Sequence, residues 1–245
     1  TIDGWAIPMA TDIAFAVAVL ALLGNRIPSG VRLLLLSIAI VDDVIAITVI
    51  ALFYTSDISL AWLALGAVGL LVVALMQRFG VSRIAPYVAV GVVVWLGFFE
   101  SGVHATIAGV LLGLMTPARP IDGRHVLEKL EHGLHPYSSF VIVPLFALAN
   151  AGIVLSVPII KEASTSSVFI GIGLGLVVGK TLGISLATFA AEKLGLGKSP
   201  EGVEPGHVWG IAALGGIGFT VSLFISQLAY SAPDVVEVAK IGIFA

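Results

Sequence analysis

The sequence contains no cysteine, which excludes a disulfide framework and any thiolate metal site. Charge is nearly as scarce. Asp, Glu, Lys and Arg make up 11% of the residues, against about 25% in a soluble domain. No extended polar linker and no low-complexity tract interrupts the chain, so residues 1–245 are expected to form a single domain. No methionine and no basic stretch precedes the first apolar run, and Thr1-Ile2-Asp3-Gly4-Trp5 does not read as a signal peptide. Lys240–Ala245 closes the sequence as another apolar run opens, so both ends read as cuts in a longer, transporter-like chain.

What remains is apolar. Hydrophobic residues make up 58% of the chain and the mean hydropathy is +1.11, the composition of an integral membrane protein whose partner is the lipid bilayer. Nothing in it suggests a nucleic-acid partner. The 28 glycines and 11 prolines suit a polytopic helical bundle, in which neighbouring helices satisfy backbone groups freed at breaks. A span needs about 20 apolar residues, which places spans near 5–24, 31–54, 61–79, 84–97, 102–117, 136–156, 168–191 and 207–230. A ninth starts near 235. The fourth and fifth, divided by Phe98-Phe99-Glu100-Ser101, are two short helices or a re-entrant pair. Eight such runs exclude a soluble helical core.

The basic residues alternate sides. Arg26 and Arg32 flank the first connection, Arg78 and Arg83 the third, Arg119, Arg124 and Lys129 the fifth, Lys193 and Lys198 the seventh. The other connections carry only Lys161 and Lys240, beside Asp57, Glu100, Glu162, Asp234 and Glu237. The positive-inside rule makes the odd connections cytoplasmic and puts the first residue outside.

Against this background Asp42 and Asp43 stand out, adjacent in the middle of the apolar run from Val31 to Tyr54. Each carboxylate at a bilayer centre costs roughly 2.5–3.5 kcal/mol, which makes an intramembrane ionisable residue a functional-site hypothesis. Neighbours on a helix point about 100° apart, so one Asp is expected to face an ion pathway while the other pairs with a cation or a backbone group. Carboxylates are hard oxygen ligands that sodium, lithium and protons can all occupy. Competition for the same oxygens is an exchange mechanism.

Two spans carry interruptions. In the first, Pro8 removes a backbone donor and disfavours helix at Ile7. Thr11 and Asp12 then supply N-cap chemistry for a helix running from Ile13 to Leu23. An ordinary Pro-kinked helix with a solvated Asp is the alternative. In the eighth, Gly215-Gly216-Ile217-Gly218-Phe219-Thr220 either unwinds the backbone or provides small residues for close packing. The charge pattern runs these two spans in opposite directions, and a matched pair of broken spans points to a transporter site at the midplane. Lys180, near the centre of the seventh span, is too deep to reach either surface easily. Its available partners are Asp12, Asp42 and Asp43, or the negative ends of half-helices. Glu128-Lys129-Leu130-Glu131-His132-Gly133-Leu134-His135-Pro136 is either a solvated helix end or a cluster that titrates near neutral pH. His104 is expected to cap or to bond locally at the start of the fifth span.

Taken in order, Ala10-Thr11-Asp12-Ile13-Ala14-Phe15, Ile40-Val41-Asp42-Asp43, Ser101-Gly102-Val103-His104-Ala105-Thr106, Leu130-Glu131-His132-Gly133-Leu134-His135-Pro136, Pro144-Leu145-Phe146-Ala147-Leu148-Ala149-Asn150-Ala151-Gly152, Gly179-Lys180 with Gly183, and Gly215–Thr220 resemble the NhaA-type sodium/proton antiporters. The resemblance covers essentially the whole chain. It implies an all-α polytopic, inverted-repeat transporter fold with two crossing discontinuous helices, an arrangement of which this family is itself a known example. It implies twelve spans, of which this chain holds the fourth to the start of the twelfth, in a multi-pass protein of the bacterial inner membrane.

Residue by residue, the resemblance makes Asp43 and Asp42 the transient sites for sodium or lithium and for the exchanged protons, with Thr11 at the edge. Asp12 and Lys180 balance the ends of the broken helices, whose interruptions lie at Pro8 and at Gly215, Gly216, Gly218 and Thr220. Glu131, His132 and His135 belong to a cytoplasmic pH-response region. The implied activity is electrogenic, pH-regulated antiport of sodium or lithium against protons, without a cofactor and without an organic substrate. The resemblance further implies a homodimer of the full-length protein. The first three helices, which carry further pH-response residues and the dimerising hairpin, are absent, so the fragment alone is not expected to transport. A sodium-coupled symporter of similar architecture and an ion channel are rivals. So is an intramembrane aspartyl protease, although it needs two Asp on separate helices.

Overall fold

In a bilayer the backbone must satisfy its own hydrogen bonds, and a chain this apolar does so as helix. The computed structural model describes residues 2–55, 58–121, 123, 125–150, 152 and 163–244. No β-strand occurs among the described residues. A 3-10 segment, Ile2–Met9, precedes α1 (Ile13–Leu22). Next come α2 (Ser29–Phe53), α3 (Leu60–Arg78), α4 (Ile84–Glu100) and α5 (Ala105–Met115). A π turn, Ser138–Ile142, joins α6 (Val126–Tyr137) to α7 (Val143–Asn150). A second, Gly175–Gly179, joins α8 (Ser167–Leu174) to α9 (Lys180–Lys193). The described chain ends with α10 (Pro205–Gly215), α11 (Phe219–Ala229) and α12 (Pro233–Phe244).

Among the described residues, Asp3–Leu22, Ser29–Phe53, Leu60–Arg78 and Ser167–Lys193 are long and apolar enough to cross a membrane. The pair α10 and α11, bent by 44° at its break, makes a fifth candidate. The expected fourth and fifth spans are separate helices of 17 and 11 residues. The sixth differs from expectation, because helix begins at Val126 rather than near 136: the polar stretch through His135 winds continuously into the apolar one. Residues 153–156 of that expected span, with Ala151, lie outside the described residues, as do Asp57, Arg124, Lys161 and Glu162.

The contacts divide the chain into two compact units, Thr1–Ala46 with Ala147–Ala245, and Ile47–Phe146. In the first, Ala16 and Leu20 of α1 pack with Val31 and Leu35 of α2 and Ile211 of α10. The 3-10 segment lies along α11, and α8 lies along α12. In the second unit, glycine brings α3 onto α4. A Cβ on Gly97 would lie 2.7 Å from the Gly66 nitrogen, and one on Gly66 would lie 2.8 Å from Phe98 Cδ2. Small residues permit this backbone approach in lipid, where no hydrophobic force drives helices together. Val94, Phe98 and Ala108 form the core beside it. His104 corrects an expectation. It occupies the N-cap position of α5 without a side-chain cap bond, and its Nε2 lies 2.9 Å from the carbonyl of Tyr54, fifty residues earlier.

Candidate functional site

The first unit brings its two interruptions into direct contact. Pro8 sits in the 3-10 segment, which ends at Met9, and α1 restarts only at Ile13. The span is therefore broken, not merely kinked. At the other interruption α10 stops at Gly215 and α11 starts at Phe219. The Asp12 backbone N–H donates to the carbonyl of Ile217 at 2.6 Å, so the break in one span supplies the donor that the other lacks.

Asp12 is 4% exposed, and its carboxylate is filled by donors. Oδ1 accepts from the Phe15 N–H at 3.1 Å, which makes Asp12 the N-cap of α1. Oδ2 accepts from the Thr220 N–H at 3.1 Å and from Thr220 Oγ1 at 2.7 Å. Thr220 stands in the first turn of α11, so one carboxylate serves the positive N-terminal ends of two half-helices.

Lys180 supplies the opposite charge. Its Nζ donates to the Met9 carbonyl at 2.6 Å, to Thr11 Oγ1 at 2.7 Å and to Asp42 Oδ2. Three acceptors match the three hydrogens of an ammonium. Of the partners open to it from sequence, Lys180 takes Asp42 and a half-helix carbonyl. Thr11, 1% exposed, lies at the centre. Its Oγ1 is 2.5 Å from Asp42 Oδ2 and 2.8 Å from the Gly215 carbonyl oxygen. One hydroxyl proton serves one of those acceptors at a time, so Thr11 can move its proton between the paired carboxylate and the end of α10.

Asp43 differs from its neighbour. Among the described residues its buried Oδ1 has no hydrogen-bond partner, where buried polar atoms are ordinarily paired. A lone acceptor beside an already neutralised Asp42–Lys180 pair fits a proton or a small hard cation. No group of three or more His, Cys, Asp or Glu among the described residues could hold a metal. The oxygens gathered around the pair are those of the Asp42 carboxylate, the Thr11 hydroxyl and the Met9 and Gly215 carbonyls.

The glycines serve both uses that the sequence left open. The helix stops among them, and they also admit close neighbours. A Cβ on Gly216 would collide with the Leu176 carbonyl, one on Gly218 with Ser222 Oγ, and one on Gly215 would lie 2.8 Å from Ile184 Cδ1. Pro8 packs close to Gly175, since a Cβ on that glycine would lie 2.7 Å from Pro8 Cβ.

Sequence reasoning missed several participants. Ser222, fully buried, donates from Oγ to the Ile7 carbonyl at 2.8 Å and so caps the 3-10 segment ahead of Pro8. The Met9 and Gly215 carbonyls carry no residue-type signal at all. The Phe15 and Phe219 rings lie 4.9 Å apart, tilted by 52°, and Phe219 meets Phe244 edge-on at 5.0 Å, an apolar cover beside Asp12 and Thr220. An aromatic next to a break was the only hint available in the sequence.

Glu131, His132 and His135 lie in the second unit, on the exposed surface of α6. His132 Nδ1 is 2.7 Å from the Glu128 carbonyl oxygen. His125, which the sequence did not single out, approaches Glu128 at 3.3 Å. With Arg83, Lys129 and His132 these two line a cavity of about 880 Å³. The cluster is thus an exposed helix of mixed charge.

Comparison with known proteins places the chain in a family. The family described as Na+/H+ antiporter 1 matches the chain over residues 1–245. The chain is 51% identical over 245 residues to the Na(+)/H(+) antiporter NhaA 1 of Erythrobacter litoralis (strain HTCC2594), covering 99% of this chain and 60% of that protein. It is 47% identical to the Na(+)/H(+) antiporters NhaA of Escherichia coli O6:K15:H31 and of Shigella dysenteriae serotype 1, covering 99% of this chain and 63% of each. The chain therefore spans less than two thirds of the length of these relatives.

Proposed function

Because the chain belongs to the Na+/H+ antiporter 1 family, we propose that the whole protein is a secondary antiporter exchanging sodium or lithium for protons by alternating access, and not an enzyme. The observation that carries this reading is the buried, unpartnered Oδ1 of Asp43 beside the Lys180–Asp42 pair. In one state Asp43 holds a proton and Asp42 is neutralised by Lys180. In the other, sodium or lithium occupies the Asp43 oxygens and draws in Asp42 and Thr11, and Lys180 lets go of Asp42. A proton leaves Asp43 as the cation arrives, so the two cargoes exclude one another. Release of a further proton at Lys180 makes exchange electrogenic and lets the proton gradient drive sodium out.

Asp12 keeps the two facing N-termini neutral in both states. Ser222 donates to the Ile7 carbonyl of the 3-10 segment in both states, and Lys180 to the Met9 carbonyl while it is protonated. We further read the two broken spans as halves of an inverted repeat, with the first residue outside the bacterial inner membrane and the full-length protein a homodimer.

The test is dequenching of a pH-sensitive dye in acid-loaded everted vesicles containing the full-length protein. Sodium and lithium are expected to dequench it and potassium is not. An equal response to potassium, or no response to sodium, sinks the reading. The same assay examines α6. If His132 and His135 set the pH response, replacing both by Gln is expected to shift the activity profile along the pH axis with the maximal rate preserved. An unchanged profile reduces them to a solvated helix end.

A further inference from the structure

Lys180 follows directly on the π turn Gly175–Gly179, which interrupts one helical run from Ser167 to Lys193. A π turn closes from i to i+5 and so carries one residue more than an α turn. Around it, Ile172, Leu176, Lys180 and Ile184 recur at intervals of four. In unbroken α-helix each interval of four advances the face by about 40°, so these positions would drift through about 120°. Absorbing one residue removes about 100° of that rotation and leaves about 20°.

The contacts match the smaller figure. Ile172 and Leu176 are each 3% exposed. A Cβ on Gly242 would meet Ile172 at 3.4 Å, and one on Gly218 would meet Leu176 Cδ2 at 2.9 Å. Lys180 reaches Met9, Thr11 and Asp42, and Ile184 lies against Gly215. The turn has two close neighbours, Pro8 against Gly175 and Gly216 against the Leu176 carbonyl.

We propose that the π turn Gly175–Gly179 is the positioning element for Lys180. By absorbing one residue it keeps the ammonium within about 20° of the face of Ile172, so that Lys180 meets Asp42 while the turn itself rests on both breaks. The inference builds on the reading that the Lys180–Asp42 pair serves exchange.

Two variants of the full-length protein test it. Deleting Val178, which is 45% exposed, removes the extra residue and lets the run continue as α-helix with Lys180 still in phase. Exchange is expected to stay within about threefold of native, because the phase is preserved. Lys180→Ala is expected to cost as much in that background as in the native one. Inserting one alanine after Val178 turns the Lys180 face by about 100°. Exchange is expected to fall at least about tenfold and its pH profile to shift. Adding Lys180→Ala then changes nothing further, since the coupling is already lost.

A deletion variant that loses exchange or fails to fold overturns the proposal. So does an insertion variant whose exchange and response to Lys180→Ala match the native protein. Misfolding of the insertion variant is itself expected when a buried ammonium is turned off its carboxylate, and the deletion variant then decides. Failure of the underlying reading looks different: Lys180→Ala in the native background would leave both exchange and thermal stability unchanged.

Discussion

Replacing Asp43 by asparagine in the full-length protein is expected to abolish sodium-dependent proton movement in everted vesicles and to leave the fold intact. Both halves of that expectation come from one atom. The buried Asp43 Oδ1 accepts no hydrogen bond among the described residues, so an isosteric amide breaks no bond there and the stability change should stay within about 1 kcal/mol. What the amide removes is the negative charge and the ability to exchange a proton for a cation. Two measurements separate the outcomes. A folded variant without exchange supports Asp43 as the cargo site. Retained exchange removes it, and loss of exchange with a collapse in thermal stability would mean that Asp43 holds the fold.

The second large effect runs the other way, toward stability. Lys180 and Asp42 are 9% and 17% exposed at their side chains. Breaking a buried pair from one side typically costs about 3–5 kcal/mol, because the remaining charge is stranded, whereas apolar replacement of both partners costs far less. Lys180→Ala leaves Asp42, among the described residues, with the Thr11 hydroxyl and also frees the Met9 carbonyl. We therefore expect Lys180→Ala to lower the thermal unfolding temperature strongly while the preference between sodium and lithium stays nearly constant. The double replacement Asp42→Leu with Lys180→Met is expected to regain most of the loss in stability. A Lys180→Ala protein as stable as the native one would argue against the charge-balance role.

Much of this site could be read from residues because it violates the composition around it. Two Asp in an apolar run, a lysine far from either surface, and a proline and three glycines inside spans each cost free energy that a lipid-facing helix does not ordinarily bear. They are visible for that reason. The helices could be read too, since hydropathy alone delimits the long spans, although Val126 shows where it fails: a polar helix gives no apolar signal of its start. The partners were hidden. A carbonyl freed at Met9, Ile7 or Gly215 has no residue-type signature, and Ser222 reads as any small residue in a helix until the carbonyl opposite it is located. The π turn was equally hidden, because the four-residue spacing from Ile172 to Ile184 looks like ordinary amphipathic helix. His104 was misplaced for the converse reason: a polar residue at a helix start suggests a local bond, and tertiary packing gave it a distant one.

The double use of Asp12 bears on how such a chain is made. Its carboxylate takes one donor from Phe15, three residues on, and two from Thr220, which lies 208 residues downstream. At typical synthesis rates that interval lasts about 10–40 seconds. Asp12 must therefore enter the bilayer with its local donor alone, and the segment that completes its shell arrives long after it. A ribosome stalled short of Thr220 therefore leaves the Asp12 carboxylate half-satisfied in the membrane.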